Sequence, residues 1–165
     1  MRIHILTTGG TIEKVYSEQQ GAVANLEDKI ERYLGRLRLP ETEIDTTRLM
    51  NKDSLEMTSE DRERVLDAVR TRLDAPIVIT HGTDTMIETG LYLKRSLGEL
   101  RFPIILTGAM TPLGFESSDG LQNLTESFLA ARVVPPGVYV VMHNHVFAVD
   151  RVRKDRERAQ FVPTD

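Results

Sequence analysis

Cysteine is absent from the 165-residue chain. Disulfides, thiolate catalysis and zinc–thiolate sites are thereby excluded, and the redox compartment stays open. No apolar run approaches the length needed to cross a bilayer. The opening Met1-Arg2-Ile3-His4-Ile5-Leu6 is too short, and too soon followed by threonines and glycines, for a signal peptide. A cytoplasmic protein is expected. Charge of one sign is not in large excess either. A net charge of −4 argues against nucleic-acid or membrane-surface binding driven by bulk charge. Arg151, Arg153, Lys154, Arg156 and Arg158, set against Asp155 and Glu157, make one locally basic stretch, which ordinarily marks a solvated face. Repeats, low-complexity tracts and linkers are missing. The length suits a single domain over 1–165 with a sizeable core.

What is present is an alternation of strand and helix patterns. Residues 2–6 read as a central strand, followed by Thr7-Thr8-Gly9-Gly10-Thr11 as a turn. Residues 11–16 suggest a short β segment, and 17–21 a polar turn. Asn25, with Asp28 three residues on, reads as the cap of a helix carrying Leu26, Ile30, Tyr33, Leu34 and Leu37, with Pro40 at its exit. A strand over 43–49 leads to a loop over 51–57. Thr58 or Ser59 caps a helix with Val65, Leu66, Val69 and Leu73 on its apolar face. The run 76–79 is a buried strand, ending at Thr80-His81-Gly82-Thr83-Asp84-Thr85 and a helix from Met86. There Gly90, in stripe with Met86, Leu93 and Leu97, predicts close packing on the sheet. A strand over 102–106, a turn over 107–112, and a helix capped by Ser117, Ser118 or Asp119 come next, burying Leu121, Leu124, Phe128 and Ala131. Residues 138–142 read as the last strand, ending at His143-Asn144-His145. The pattern predicts a three-layer α/β fold with a mostly parallel sheet and helices on both faces.

Each strand ends in a polar cluster, and in a parallel sheet those clusters share one edge. Singly, a threonine or aspartate before a helix is ordinarily a cap, and a turn glycine is ordinarily structural. Together they mark a site. Thr11 and Thr83 are candidate nucleophiles, each needing a base or charge nearby. Asp84 suits either a substrate ammonium or a lysine that deprotonates Thr83. Free N–H groups at these turns suit a carboxylate or a developing oxyanion. The cluster fits a small zwitterion with an amide or ester to be attacked. His143 and His145 alternate as on a strand, and without a carboxylate in metal-binding pattern they make a poor metal site. His81 reads as a structural hydrogen-bonder. Met50, Met57, Met86, Met110 and Met142 read as fillers of core or site walls.

Thr8-Gly9-Gly10-Thr11-Ile12 and Thr80-His81-Gly82-Thr83-Asp84-Thr85 resemble the two signature motifs of bacterial-type L-asparaginases. Asp53-Ser54-Leu55-Glu56-Met57-Thr58 resembles that family's substrate-binding serine loop. The segment 106–112, with Ser118-Asp119-Gly120 and Asn123-Leu124, resembles its Gly-Ala-Met segment and following helix, and 138–142 its later strand. The resemblance spans about 2–155 and implies the family's Rossmann/flavodoxin-like N-terminal domain. It implies Thr11 as nucleophile, Tyr16 as its partner on a flap, and Thr83, Asp84 and a lysine as a second triad. Gly10, Ser54, Leu55, Gly82, Thr83, Asp84 and Ala109 would bind substrate, with Ser54 on the α-carboxylate, Asp84 on the ammonium and the Ala109 carbonyl orienting the amide. L-Asparagine would give L-aspartate and ammonia through an acyl-enzyme, with no metal or cofactor.

Three features depart from the familiar members. Those are about twice as long and carry a second, smaller domain. Their lysine lies in a Phe-Lys context, where this chain has Phe161-Val162. Lys154 is the nearest candidate, and its competitor Arg153 stays protonated and makes a poor base. Tyr16 follows Thr11 by only five residues, closer than in many members. A one-domain site would borrow a neighbour to exclude water, so a homo-oligomer, dimer or tetramer, is expected. The rival readings are a related amidohydrolase or glutaminase, an amidotransferase-like domain, and a non-catalytic domain that binds a small amino acid.

Overall fold

The computed structural model describes residues 1–19, 21–24 and 30–164. Five parallel strands and one antiparallel strand form the central sheet. They are β1 (Arg2–Gly9), β4 (Glu43–Lys52), β5 (Ile77–Thr80), β6 (Ile104–Thr107), β7 (Val138–Met142) and β8 (His145–Ala148). Their order is β4-β1-β5-β6-β7-β8, and only the β7–β8 pair is antiparallel. Two small hairpins stand outside the sheet. One pairs β2 (Val15–Ser17) with β3 (Ala22–Ala24), the other β9 (Val152–Asp155) with β10 (Gln160–Pro163).

The alternation along each strand explains the layers. On one face Leu6, Ile79, Leu106 and Val140 pack against Val65, Leu66 and Val69 of α2 (Ser59–Arg70) and Met86 and Leu93 of α3 (Met86–Ser96). On the other, Ile3, Ile5, Val78, Ile105 and Val141 meet Ile30, Tyr33 and Leu34 of α1 (Ile30–Leu34) and Leu124, Phe128 and Ala131 of α4 (Gly120–Val133). Helices on both faces follow from strands that are apolar on both sides. Gly90 packs as its stripe predicts. A methyl group there would lie 2.5 Å from Val149 Cγ2 and 3.1 Å from Leu106 Cδ1.

Several boundaries differ from the sequence expectation. β1 runs to Gly9, so the turn begins at Gly10. Residues 11–13 are a 3-10 turn rather than β, closed by Glu13 N–H to Gly10 O (3.2 Å) and Lys14 N–H to Thr11 O (3.1 Å). Asn25, Leu26 and Asp28 lie outside the described residues. Thr58 is the cap of α2, in a full capping box with Asp61. The helix stops at Arg70, which leaves Leu73 beyond it and exposed. The chain does not end its strands at β7. His143 and Asn144, at φ 50° and 63°, form a two-residue hairpin turn into β8. The two histidines therefore sit on different elements. His145 is on β8, stacked on Phe147 at 5.5 Å.

The basic stretch 151–158 is likewise more than a solvated face. Val152 and Phe161, both 5% exposed, plug the β9–β10 hairpin into the α2–α3 core. Burying two such side chains contributes about 1.5–3 kcal/mol each. That anchorage decides where Lys154, between them on β9, points.

Candidate active site

Two corners at the carboxyl ends of β1 and β5 are pressed together. Thr8 Oγ1 at the end of β1 donates to Thr80 O of β5 (2.8 Å). Beyond them the two corners meet through glycine. Gly10 has φ 78°, and a side chain there would collide with the main chain of Gly82. Gly82 in turn is so close to the serine loop that a methyl group would lie 2.5 Å from Ser54 Cβ. Thr85 Oγ1 donates to Ser54 O (2.8 Å), and Gly10 N–H donates to Lys52 O (2.8 Å) at the end of β4. Gly10, Gly82 and Ser54 thus form one packed seam, and Thr11 follows directly from it.

Thr83 is buried, at 6% exposed. Lys154 Nζ donates to its Oγ1 (2.7 Å) and to Asp84 Oδ1 (3.0 Å). The lysine side chain is 16% exposed and that of Asp84 28%. This is a hydroxyl, an amine and a carboxylate in mutual reach, drawn from residues 71 apart in the chain. The amine stands where a proton can pass to or from the threonine hydroxyl.

His81 lies beneath this corner, fully buried. Its Nδ1 is 2.8 Å from Gly82 O, so that nitrogen carries the proton, and its Nε2 accepts from Thr89 Oγ1 (2.8 Å). Burial pushes its pKa down to about 4, so the ring is neutral and structural.

The Gly108–Ala109 segment closes another side. Gly108 packs against His81 O and Thr83 Cγ2, and Ala109 is fully buried. Asn123 Nδ2 donates to Gly108 O (2.9 Å) and Asp119 Oδ2 (2.9 Å). Asp119 precedes α4 but does not cap it, since Ser118 Oγ takes the Gly120 N–H (3.0 Å). Its carboxylate turns back to the N–H groups of Met110 (3.0 Å) and Thr111 (2.9 Å), and to His143 Nε2 (2.7 Å). Burial alone would raise the Asp119 pKa; those two N–H groups and the His143 ring hold it below the usual carboxylate value instead.

Ser54 is buried and Leu55 is 65% exposed. The Leu55 N–H is taken by Asp53 Oδ1 (3.1 Å), and Asp53 Oδ2 accepts from Lys14 Nζ (2.6 Å). The hydrogen bond from Lys14 and then that from Leu55 lower the Asp53 pKa, with the charge of Lys154 adding to them. Lys14 follows the Thr11 turn, so this pair ties the root of the β2–β3 hairpin to the serine loop. Tyr16 stands on that hairpin, 59% exposed, between buried Val15 and Ser17.

The structure brings Thr83, Asp84 and Lys154 together directly, and packs Gly10, Gly82, Ser54 and the Gly108–Ala109 segment around them. It leaves Tyr16 facing outward. Sequence reasoning did not single out Lys14, Asp119 or Asn123 as site residues. Asp119 and Asn123 lay inside the motif segments, which was the available signal. Lys14 carried none, because its partner is 39 residues away.

Comparison with known proteins agrees with this geometry. The model of the family described as Asparaginase, N-terminal, matches residues 2–160. The chain is 34% identical over 156 residues to an L-asparaginase of Thermococcus kodakarensis, covering 93% of this chain and 48% of that protein. It is 33% identical over 147 residues to one subunit of a glutamyl-tRNA(Gln) amidotransferase of Saccharolobus solfataricus, covering 86% of this chain and 33% of that one. The solved thermostable L-asparaginase from Thermococcus kodakarensis superposes with a TM-score of 0.88 at 34% identity, over 99% of this chain and 51% of that chain. The chain thus spans about half the length of the asparaginases it matches.

Proposed function

The chain belongs to the asparaginase family, as its N-terminal domain, and from that premise we propose that it is an L-asparaginase acting through Thr11. The Thr11 hydroxyl attacks the side-chain amide carbonyl of L-asparagine. Its proton leaves with the departing nitrogen as ammonia, and an acyl-enzyme ester remains. Water then attacks the ester, releasing L-aspartate and returning the proton to Thr11. Lys154 and Thr83 relay protons in these steps, while Asp84 orients Lys154 and meets the substrate ammonium. Ser54, Leu55, Gly10 and Gly82 border the α-carboxylate, the Ala109 carbonyl orients the amide, and Tyr16 covers Thr11 when the hairpin folds inward. The reaction as written draws on the chain's own groups.

The observation that carries this reading is the contact of Lys154 Nζ with Thr83 Oγ1 at 2.7 Å and Asp84 Oδ1 at 3.0 Å. The Lys154 side chain, only 16% exposed, is drawn out of solvent to reach them. Ammonia release from L-asparagine and L-glutamine tests the reading. Thr11→Ala, Thr83→Ala and Lys154→Met are each expected to lose about a thousandfold or more in kcat. A wild-type protein that releases no ammonia from either amino acid rules the activity out, and full activity in Lys154→Met rules out the lysine assignment.

Residues 1–165 act as one catalytic domain in this proposal. A second copy covers the mouth, giving a dimer or tetramer that works in the cytoplasm. A monomeric mass by light scattering, with activity intact, contradicts the oligomer. Among the described residues no helix is long and apolar enough to cross a membrane. The likeness to an amidotransferase component favours one second reading, in which a glutaminyl amide is the better substrate. The glutamine arm of the same assay decides it.

A further inference from the structure

The turn between β7 and β8 reaches the Ala109 segment through a single carboxylate. His143 and Asn144 adopt φ 50° and 63°, a left-handed pair that Asn-Gly ordinarily supplies. Both amides of the turn are docked on α4. His143 N–H donates to Asn123 Oδ1 (3.0 Å), and Asn144 N–H to Glu126 Oε2 (2.7 Å). Those two bonds seat the turn without using the histidine ring. The ring, 30% exposed, reaches Asp119 Oδ2 with Nε2 instead (2.7 Å). Asp119 is held below the usual carboxylate pKa, and an ionised carboxylate only accepts, so Nε2 carries the proton.

What Asp119 holds decides what the ring does. Its carboxylate takes Met110 N–H (3.0 Å), Thr111 N–H (2.9 Å), Asn123 Nδ2 (2.9 Å) and His143 Nε2 (2.7 Å). Asn123 Nδ2 also donates to Gly108 O (2.9 Å). Three consecutive peptide units, 108–109, 109–110 and 110–111, are thus gripped by two side chains. The middle unit carries the Ala109 carbonyl. No cis peptide occurs among the described residues, and in a trans unit the N–H and C=O share a plane and point opposite ways. Drawing Met110 N–H onto Asp119 therefore fixes the direction of Ala109 O. Of the four donors, only the ring comes from outside the segment and α4, and it is the closest. Hydrogen bonds to an ionised acceptor are also the strong ones.

We infer that His143 is a positioning residue: through Asp119 it fixes the Ala109–Met110 peptide and so aims the Ala109 carbonyl at the substrate amide. The role of that carbonyl rests on the proposed function. Two substitutions separate the ring from the turn. His143→Asn suits the left-handed backbone but is too short to place a donor where Nε2 stands. His143→Gln puts an amide N–H back near that point. His143→Asn is expected to keep the urea midpoint and to speed hydrogen exchange at the Met110 and Thr111 amides about tenfold. It is also expected to lower kcat for L-asparagine about tenfold. Affinity for L-aspartate, which has no amide N–H to orient, should stay within about twofold by calorimetry. His143→Gln should bring exchange and kcat back within about twofold of the wild type. Exchange in His143→Asn as slow as in the wild type would overturn the inference. So would faster exchange with kcat unchanged, equal losses in kcat and L-aspartate affinity, or no recovery in His143→Gln. A wild-type chain that releases no ammonia removes the proposed function, and the exchange rates then decide alone whether His143 holds the peptide. Ammonia release with exchange indifferent to His143 leaves the activity and removes the inference.

Discussion

The corner after β5 and the corner after β1 are built from the same parts, yet they reach different degrees of completion. Both end a central strand with glycine and threonine. At Thr83 the chain enters α3, the hydroxyl is buried, and Lys154 and Asp84 are already in contact. At Thr11 the chain enters one 3-10 turn and then a two-stranded hairpin whose Tyr16 faces outward. A corner backed by a helix and by the core-anchored β9–β10 hairpin is set before substrate arrives. At the other corner Ile12, Glu13, Val15 and Ser17 are buried and only Tyr16 is left outside, so it is the position of Tyr16 that waits on substrate or a covering neighbour. The proposed division of labour matches: the corner whose partners are already in contact relays protons, and the one whose tyrosine still faces outward carries the nucleophile.

The largest expected effect on stability breaks the rigid corner through His81. Its folded pKa is lowered from 6.5 to about 4 by burial. As pH falls below 6.5 the unfolded ring binds a proton that the folded ring refuses until about pH 4. Stability is then expected to fall across that window by as much as about 3 kcal/mol and to recover as pH rises again. Urea midpoints measured between pH 4 and 7 check this, and His81→Gln should flatten that part of the profile.

A second experiment strikes the seam between the corners. Gly10→Ala puts a methyl group into the Gly82 main chain at a φ of 78°. It is expected to cost about 2 kcal/mol or more. Urea unfolding measures it, and a loss within about 0.5 kcal/mol would show that the corners can separate freely. The smallest effect sharpens the comparison. Lys14→Met removes the ion pair that ties the Thr11 side to the serine loop. Because both partners are partly exposed, stability should change by less than about 1 kcal/mol. KM for the amide substrate should rise a few-fold with kcat nearly kept, read from steady-state ammonia release. A change confined to kcat would mean that Lys14 serves the chemistry and not the closing of the corner.

The alternation of strand and helix was legible in the chain because it rests on periodic apolar spacing, which is local. The cap at Thr58, the glycine stripe at Gly90 and both threonine corners were legible for the same reason. The strands after β7 were missed. Each is only four residues long, β9 is interrupted by charge, and the turn at His143–Asn144 uses left-handed backbone without glycine. His143 read as a strand residue, whereas its ring belongs to the network that holds Met110 and Thr111 through Asp119.

What the amino-acid order determined by itself was the pair of glycine–threonine corners at the ends of two apolar strands, since turn chemistry and strand patterning act over a few residues. Only the tertiary structure decided that Gly10 meets Gly82, and that Lys154 rather than Arg153 points at Thr83. Val152 and Phe161 must first find the α2–α3 core, which turns Lys154 inward and leaves Arg153 in solvent. That choice is made by burial across some seventy residues of chain, a distance over which no local pattern carries information.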